Sequence, residues 1–250
     1  VIGAGKVLPR GGIATVESAA IALAMAGGRP EYLPVLIAAV QAIVDPELMT
    51  QSWNATTNSN YPVMIINGPI ADQIRLNSGY GCMGPDPAHP AGATIGRAVR
   101  LILQNLGGGI PGIGTMAIHG GANRYVNIVF AEDEAGLPKG WDPLNVERGF
   151  PKGSNTVTVY AVNSTLNLGG GSTTTEEVAK RTLFNWAQPM RAPGYGQYFS
   201  FPGPYNPDGS PGVLVMARGT AQGLAALGWS KDKVKTYMWE QMTHTPEDVV

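Results

Sequence analysis

The 250-residue sequence holds a single cysteine, three histidines and only 14% charged residues. One cysteine excludes an internal disulfide and any zinc site built from several thiolates, and it suits a reducing, cytoplasmic compartment. Three histidines, none spaced as a helical pair, give little material for a metal centre. A formal net charge of −1 offers no broad electrostatic reason to bind DNA, RNA or an anionic membrane. No apolar run approaches the roughly 18 residues that a membrane span requires, and no basic-then-apolar signal opens the chain. The first residue is Val1 and not methionine, which fits a processed or incomplete N-terminus. The low charged fraction beside 44% hydrophobic residues leaves surface to be covered. That points to an oligomer whose partners are small molecules or proteins.

What the chain has in excess is backbone punctuation, with 34 glycines and 20 prolines. They separate apolar segments and do not gather into a low-complexity tract, so the chain reads as folded and loop-rich. The most informative stretch runs from Tyr61 to Gly109. Val63 to Ile66 is an apolar run fenced by Pro62 and by Asn67-Gly68-Pro69, the pattern of a strand buried on both faces. A glycine- and proline-rich loop from Asn77 to Gly92 carries Cys82, and an amphipathic helix follows from near Thr94. Its spacing puts Ile95, Val99, Ile102, Leu103 and Leu106 on one apolar stripe and leaves Thr94 and Arg97 near the loop. Strand, loop and helix N-terminus together make an anion-friendly cradle.

Elsewhere, Val1-Ile-Gly-Ala-Gly-Lys-Val opens like a dinucleotide fingerprint but lacks its third glycine and a preceding strand. Thr15 caps a small-residue helix from Val16 to Ala26, stopped by Gly27-Gly28. Arg29-Pro30-Glu31 opens a second helix with Leu33, Leu36, Ile37, Val40, Ile43 and Val44 on one stripe. The polar link from Gln51 to Asn60 can bond backbone or ligand. Strands are expected at Tyr125 to Ala131, Thr156 to Val162 and Val213 to Met216. Helices are expected after a Thr174/Glu177 capping box, from Thr220 to Leu227, and after Ser230. The recurring order gives an α/β fold built from a duplicated helix–strand–glycine-turn–helix unit with largely parallel buried strands. Residues 1–125 form the first unit, with the inserted site loop, and residues 126–250 the second, packed as one globular body.

Several stretches carry a family resemblance: Gly28-Arg-Pro-Glu-Tyr-Leu-Pro-Val, Ile66-Asn-Gly-Pro-Ile, Gly92-Ala-Thr-Ile-Gly-Arg-Ala-Val-Arg-Leu-Ile-Leu, Val146-Glu-Arg-Gly-Phe and Gly228-Trp-Ser-Lys-Asp-Lys-Val. The chain resembles an uncharacterised bacterial family catalogued beside the U-G-S-C proteins, in which selenocysteine or cysteine precedes Gly-Ser-Cys. The resemblance implies thiol or selenol redox chemistry. This chain contains no Cys-Gly-Ser-Cys, and its one cysteine lies in Gly81-Cys82-Met83-Gly84, so a redox motif would sit on a partner subunit.

The candidate chemistry divides into catalytic and binding groups. Cys82, if near a helix N-terminus, is a thiolate nucleophile or redox centre; otherwise it is a small buried hydrophobe. His89 shares its loop and is a candidate general base, with Glu132 at a strand end as a candidate acid or base. Asp133 and Glu134 read as a solvated turn, and His244 as a solvated side chain. Asn67 and Gly68 follow the buried strand where ligands bind in open α/β sheets, with Thr94 and Arg97 on the adjoining helix. Arg148 either clamps a substrate carboxylate or pairs with Glu147. His89, His119 and Glu132 are the ligand set if a metal is bound; no cofactor is assigned. The leading expectation is a soluble enzyme or enzyme-complex subunit acting on a small anionic organic molecule by thiol-linked redox or nucleophilic chemistry. The alternatives are a non-catalytic scaffold subunit binding a separate catalytic chain, and a metal-dependent hydrolase or lyase.

Overall fold

Thr15 begins the first helix as its side chain accepts from Ser18 N, while the Ser18 hydroxyl accepts from Thr15 N in return. This reciprocal cap satisfies two donors that the first turn would leave orphaned. The computed structural model describes residues 1–3, 5–169, 171–191 and 213–243. They divide into two compact units, Val1–Asp133 with Pro143–Thr165, and Glu134–Asp142 with Leu166–Val250. The division expected after Tyr125 therefore falls inside a short helix of the first unit.

The first unit contains helices α1 (Val16–Met25), α2 (Leu33–Val44), α3 (Thr50–Asn54), then strand β1 (Tyr61–Asn67) and helix α4 (Ile70–Gln73). It continues with α5 (Ala91–Asn105), α6 (Asn123–Val126), β2 (Ile128–Ala131), α7 (Leu144–Glu147) and β3 (Thr156–Val162). β1 is the centre of a three-stranded sheet, order β2-β1-β3, parallel to β2 through Ile66↔Ala131 and antiparallel to β3 through Asn67↔Thr156. The sheet is mixed, whereas the sequence pattern pointed to largely parallel strands. A run of buried residues marks burial on both faces but carries no information about the direction of a neighbour.

All seven residues of β1 are buried. Met64 and Ile66 share a core with Val129, Ala131 and the apolar stripes of α1, α2 and α5. Tyr61, Val63 and Ile65 face the other way, onto Ile128, Phe130 and Tyr160, with Cys82, Met83 and Leu144 packed over them. Each such aliphatic side chain contributes about 1.5–3 kcal/mol on burial. The Cys82 loop is thus a structural cover for the second face of the sheet.

Two glycines bring α5 close to β2 and to the end of α6. A Cβ at Gly92 would lie 2.6 Å from the Val129 carbonyl oxygen, and one at Gly96 would lie closer still to that of Val126. The residues expected to open a strand at Tyr125 instead form α6, and β2 starts only at Ile128. Asn127 breaks the run with a positive φ of 57°.

The second unit holds α8 (Glu176–Arg191), α9 (Arg218–Ala226) and α10 (Lys231–Met242). Trp141, Leu183, Trp186, Leu224, Trp229 and Met238 form its core. Thr175, one residue after the expected cap, accepts from Val178 N at 3.3 Å, and Ser230 caps α10 as expected. Val213 to Met216 has no ladder partner among the described residues, and Val213 and Val215 are exposed while Leu214 and Met216 pack on the core. The described residues of this unit contain no strand. No helix among the described residues is long and apolar enough to cross a membrane.

Candidate functional site

At the C-terminal edge of β1 and β2, Asn67 is fully buried and its Nδ2 donates to Glu132 Oε2 at 2.7 Å. The same carboxylate oxygen accepts from Leu144 N at 2.7 Å, at the start of α7. Glu132 therefore ties a strand end to a helix start, which is a structural duty. Gly68 has φ of 89°, and a Cβ there would meet the Ser154 carbonyl oxygen at 2.4 Å. Asn155 Oδ1 accepts from Ile70 N at 2.9 Å. The turn that sequence reasoning assigned to a ligand is packed against the protein's own Ser154-Asn155.

The neighbouring loop is organised by Asn77 and Asp86. Asn77 is buried, its carbonyl accepts from Ala131 N at 3.0 Å, and its Nδ2 donates to Tyr80 O and to Asp86 Oδ2. Asp86 Oδ2 also meets His89 Nδ1 at 2.5 Å, and Asp86 Oδ1 accepts from Ala88 N. The His89 hydrogen bond, then that of Ala88, holds the Asp86 carboxyl below its ordinary range. His89 and Asp86 stand as an oriented pair on an exposed loop.

For Cys82, read either as a thiolate or as a small buried hydrophobe, the surroundings are apolar. The thiol is half-buried against the sheet, and burial pushes its pKa up, outweighing the lowering by the backbone N–H groups of Cys82 and Met83. Among the described residues no hydrogen bond joins Cys82 to His89. His119 is exposed, and no three His, Cys, Asp or Glu side chains among the described residues converge as a metal site would require. The set His89, His119 and Glu132 is not brought together. His244 lies outside the described residues.

The binding candidates on helices are engaged elsewhere. Thr94 is buried and donates its hydroxyl to Pro90 O at 2.7 Å. Arg97 donates to Tyr125 O at 3.2 Å and lies 3.8 Å above the Tyr125 ring centroid. Arg148 is exposed and donates to the Tyr160 hydroxyl at 2.7 Å, with its guanidinium carbon 5.2 Å from that ring's centroid.

Sequence reasoning missed the polar cluster at the opposite, N-terminal edge of the sheet, about 20 Å away by the length of β1. Arg100 on α5 is 0% exposed and Arg124 on α6 is 7% exposed. Arg124 donates to the carbonyls of Asn54, Asn58 and Asn60 and to Thr115 Oγ1, at 3.0–3.4 Å. Among the described residues Arg100 reaches only Asn54 Oδ1 at 3.5 Å and Asn127 Oδ1 at 3.3 Å, and its buried Nε finds no partner there. Asn127 is fixed in turn by donating to Gly96 O at 2.8 Å, where α5 approaches most closely.

No carboxylate among the described residues pairs with either guanidinium. Burial, then the charges of Arg124 and Arg97, push the Arg100 pKa down to about 9, which leaves it cationic at neutral pH. Burial lowers Arg124 as well. Beside this cluster lies a cleft of about 430 Å³, lined among others by Arg10, Ala55, Ile113, Gly114, Thr115 and Met116. Arg10 lies across Gly108, where a Cβ would meet its Cδ at 2.3 Å. Thr115 joins cleft to cluster, because its Oγ1 both accepts from Arg124 and donates to Thr56 O at 3.1 Å.

Comparison of the chain with protein-family models, with curated proteins and with solved structures finds no match.

Proposed function

We propose that the first unit binds a small anionic organic molecule at the N-terminal edge of its sheet, in the cleft beside Arg10 and Thr115. The observation that carries this reading is the pair Arg100 and Arg124, buried and held by neutral acceptors with no carboxylate among the described residues. A buried charge is costly unless something compensates it, and an anion in the cleft, one of whose lining residues, Thr115, accepts from Arg124, would do so. Arg10 adds an accessible fork that fits carboxylate or phosphate. The anionic ligand expected from the sequence is kept, and its place moves from the Asn67 turn to the opposite edge.

The test is the thermal midpoint against inorganic phosphate and acetate, at constant ionic strength made up with chloride. Binding to the folded state alone raises stability by about 2.7 kcal/mol at a hundredfold excess over Kd. The midpoint should rise with either anion and rise less in Arg10→Gln, an exposed position. A midpoint indifferent to both anions would remove the reading.

A second reading, an enzyme using His89 as proton acceptor, is supported by the contact of Asp86 Oδ2 with His89 Nδ1. Asp86 orients the ring and leaves Nε2 for a substrate. Thiol-linked chemistry at Cys82 would require such a base, since the thiol is held protonated by its burial. A His89→Ala variant that keeps any turnover found for the wild type would exclude it.

A further inference from the structure

We propose that the ligand of this cleft is an amphipathic monocarboxylate, with its carboxylate at Arg10 and its hydrocarbon body against Ile113 and Met116. The inference rests on the anion reading above and adds the chemistry of the rest of the molecule. Its basis is the mixed lining of the cleft. One side is polar and positive, with Arg10 laid over Gly108 and Thr115 hydrogen-bonded to Arg124. The other side presents Ile113, 63% exposed, and Met116, 59% exposed, within the same cleft.

Large apolar side chains this exposed gain by being covered, and methionine adapts its shape to an irregular hydrocarbon surface. The connector that carries them is fixed and not slack. Gly112 N donates to Thr115 O, Gly114 N donates to Ile110 O, and a Cβ at Gly114 would collide with the Gly108 carbonyl oxygen. The apolar wall is therefore held at a set distance from the cationic wall. A polyanion such as a nucleotide would leave Ile113 and Met116 against charge. A neutral hydrocarbon would leave Arg10 and the charge behind Thr115 unanswered. A carboxylate with a short apolar tail satisfies both walls.

Calorimetric titration with acetate, hexanoate and hexanamide separates the possibilities. Each fully buried methylene multiplies affinity by about fourfold. Hexanoate, with part of its tail still in water, should bind about tenfold or more tightly than acetate. Hexanamide, with the same tail and no charge, should bind at least tenfold more weakly than hexanoate. Ile113→Thr, a substitution at an exposed site, should erase most of the preference for hexanoate over acetate. Equal affinities for acetate and hexanoate would overturn the amphipathic assignment and leave the anion reading in place. Equal affinities for hexanoate and hexanamide would overturn the assignment by showing a purely apolar groove. Failure of acetate, hexanoate and phosphate alike would remove both readings together.

Discussion

Arg100 and Arg124 converge on one residue: Arg100 Nη1 donates to Asn54 Oδ1 at 3.5 Å, and Arg124 Nη2 donates to the Asn54 carbonyl at 3.0 Å. The two guanidiniums are nevertheless held very differently. Arg124 fills four acceptors from the segment before β1 and from Thr115, whereas Arg100, among the described residues, has two long bonds and an unpartnered Nε.

Replacing each by methionine should expose that difference. Arg124→Met orphans carbonyls of the Asn54–Asn60 segment and should destabilise the protein by about 3 kcal/mol or more. Arg100→Met loses only weak bonds and removes a desolvated charge that Arg124 repels, so its net effect should stay within about 1 kcal/mol of zero. Urea unfolding of the two variants gives the comparison. A larger loss for Arg100→Met would show that its bonds are stronger than their lengths indicate.

The Arg100 charge also leaves a signature in pH. Its folded pKa, about 9, lies below that of the unfolded chain, so above pH 9 the unfolded state holds more protons than the folded one. The contribution is present at high pH and is lost as pH falls through about 9. Between pH 8 and 10 the wild type should gain about 1 kcal/mol relative to Arg100→Met, the variant serving to cancel lysine and tyrosine titrations common to both. Parallel stability curves over that window would contradict a desolvated Arg100.

Cys82 should behave as a packed thiol. Burial raises its pKa, so iodoacetamide should react at pH 7 more slowly than with a free cysteine, and the rate should climb through pH 8 to 9.5 with no plateau near neutrality. A fast, pH-independent rate at pH 7 would restore the thiolate expected from the glycine-rich loop.

Local signals in the sequence were sound where the chain itself determines the structure. Thr15 as a cap, the α2 stripe from Leu36 to Val44, and β3 from Thr156 to Val162 all follow from capping chemistry or periodicity over adjacent residues. Strand direction did not, because β3 pairs with β1 across nearly a hundred residues. The packing around the candidate site was illegible for a related reason. Gly68 and the loop around Cys82 looked like ligand contacts because glycine permits close approach, but what approaches is Ser154 and the second face of the sheet. Arg100 was hidden within an amphipathic pattern that places an arginine on the polar side of its helix. Two signals could have exposed it. Gly96 lies one turn before it, where only a packed helix face needs a glycine, and the Asn-rich link from Asn54 to Asn60 offers more acceptors than a turn requires.

The most direct measurement supplies the missing counter-charge from within the chain. Asn127→Asp sets a carboxylate against Arg100 Nη2, at the expense of the hydrogen bond from Asn127 Nδ2 to Gly96 O. Calorimetric titration of wild type and variant with inorganic phosphate at low ionic strength then compares an open charge with a compensated one. A saturable heat in the wild type, weakened at least tenfold in Asn127→Asp, is the expected result. Equal binding by the two proteins, or no saturable heat in the wild type, would contradict anion binding driven by the buried arginines.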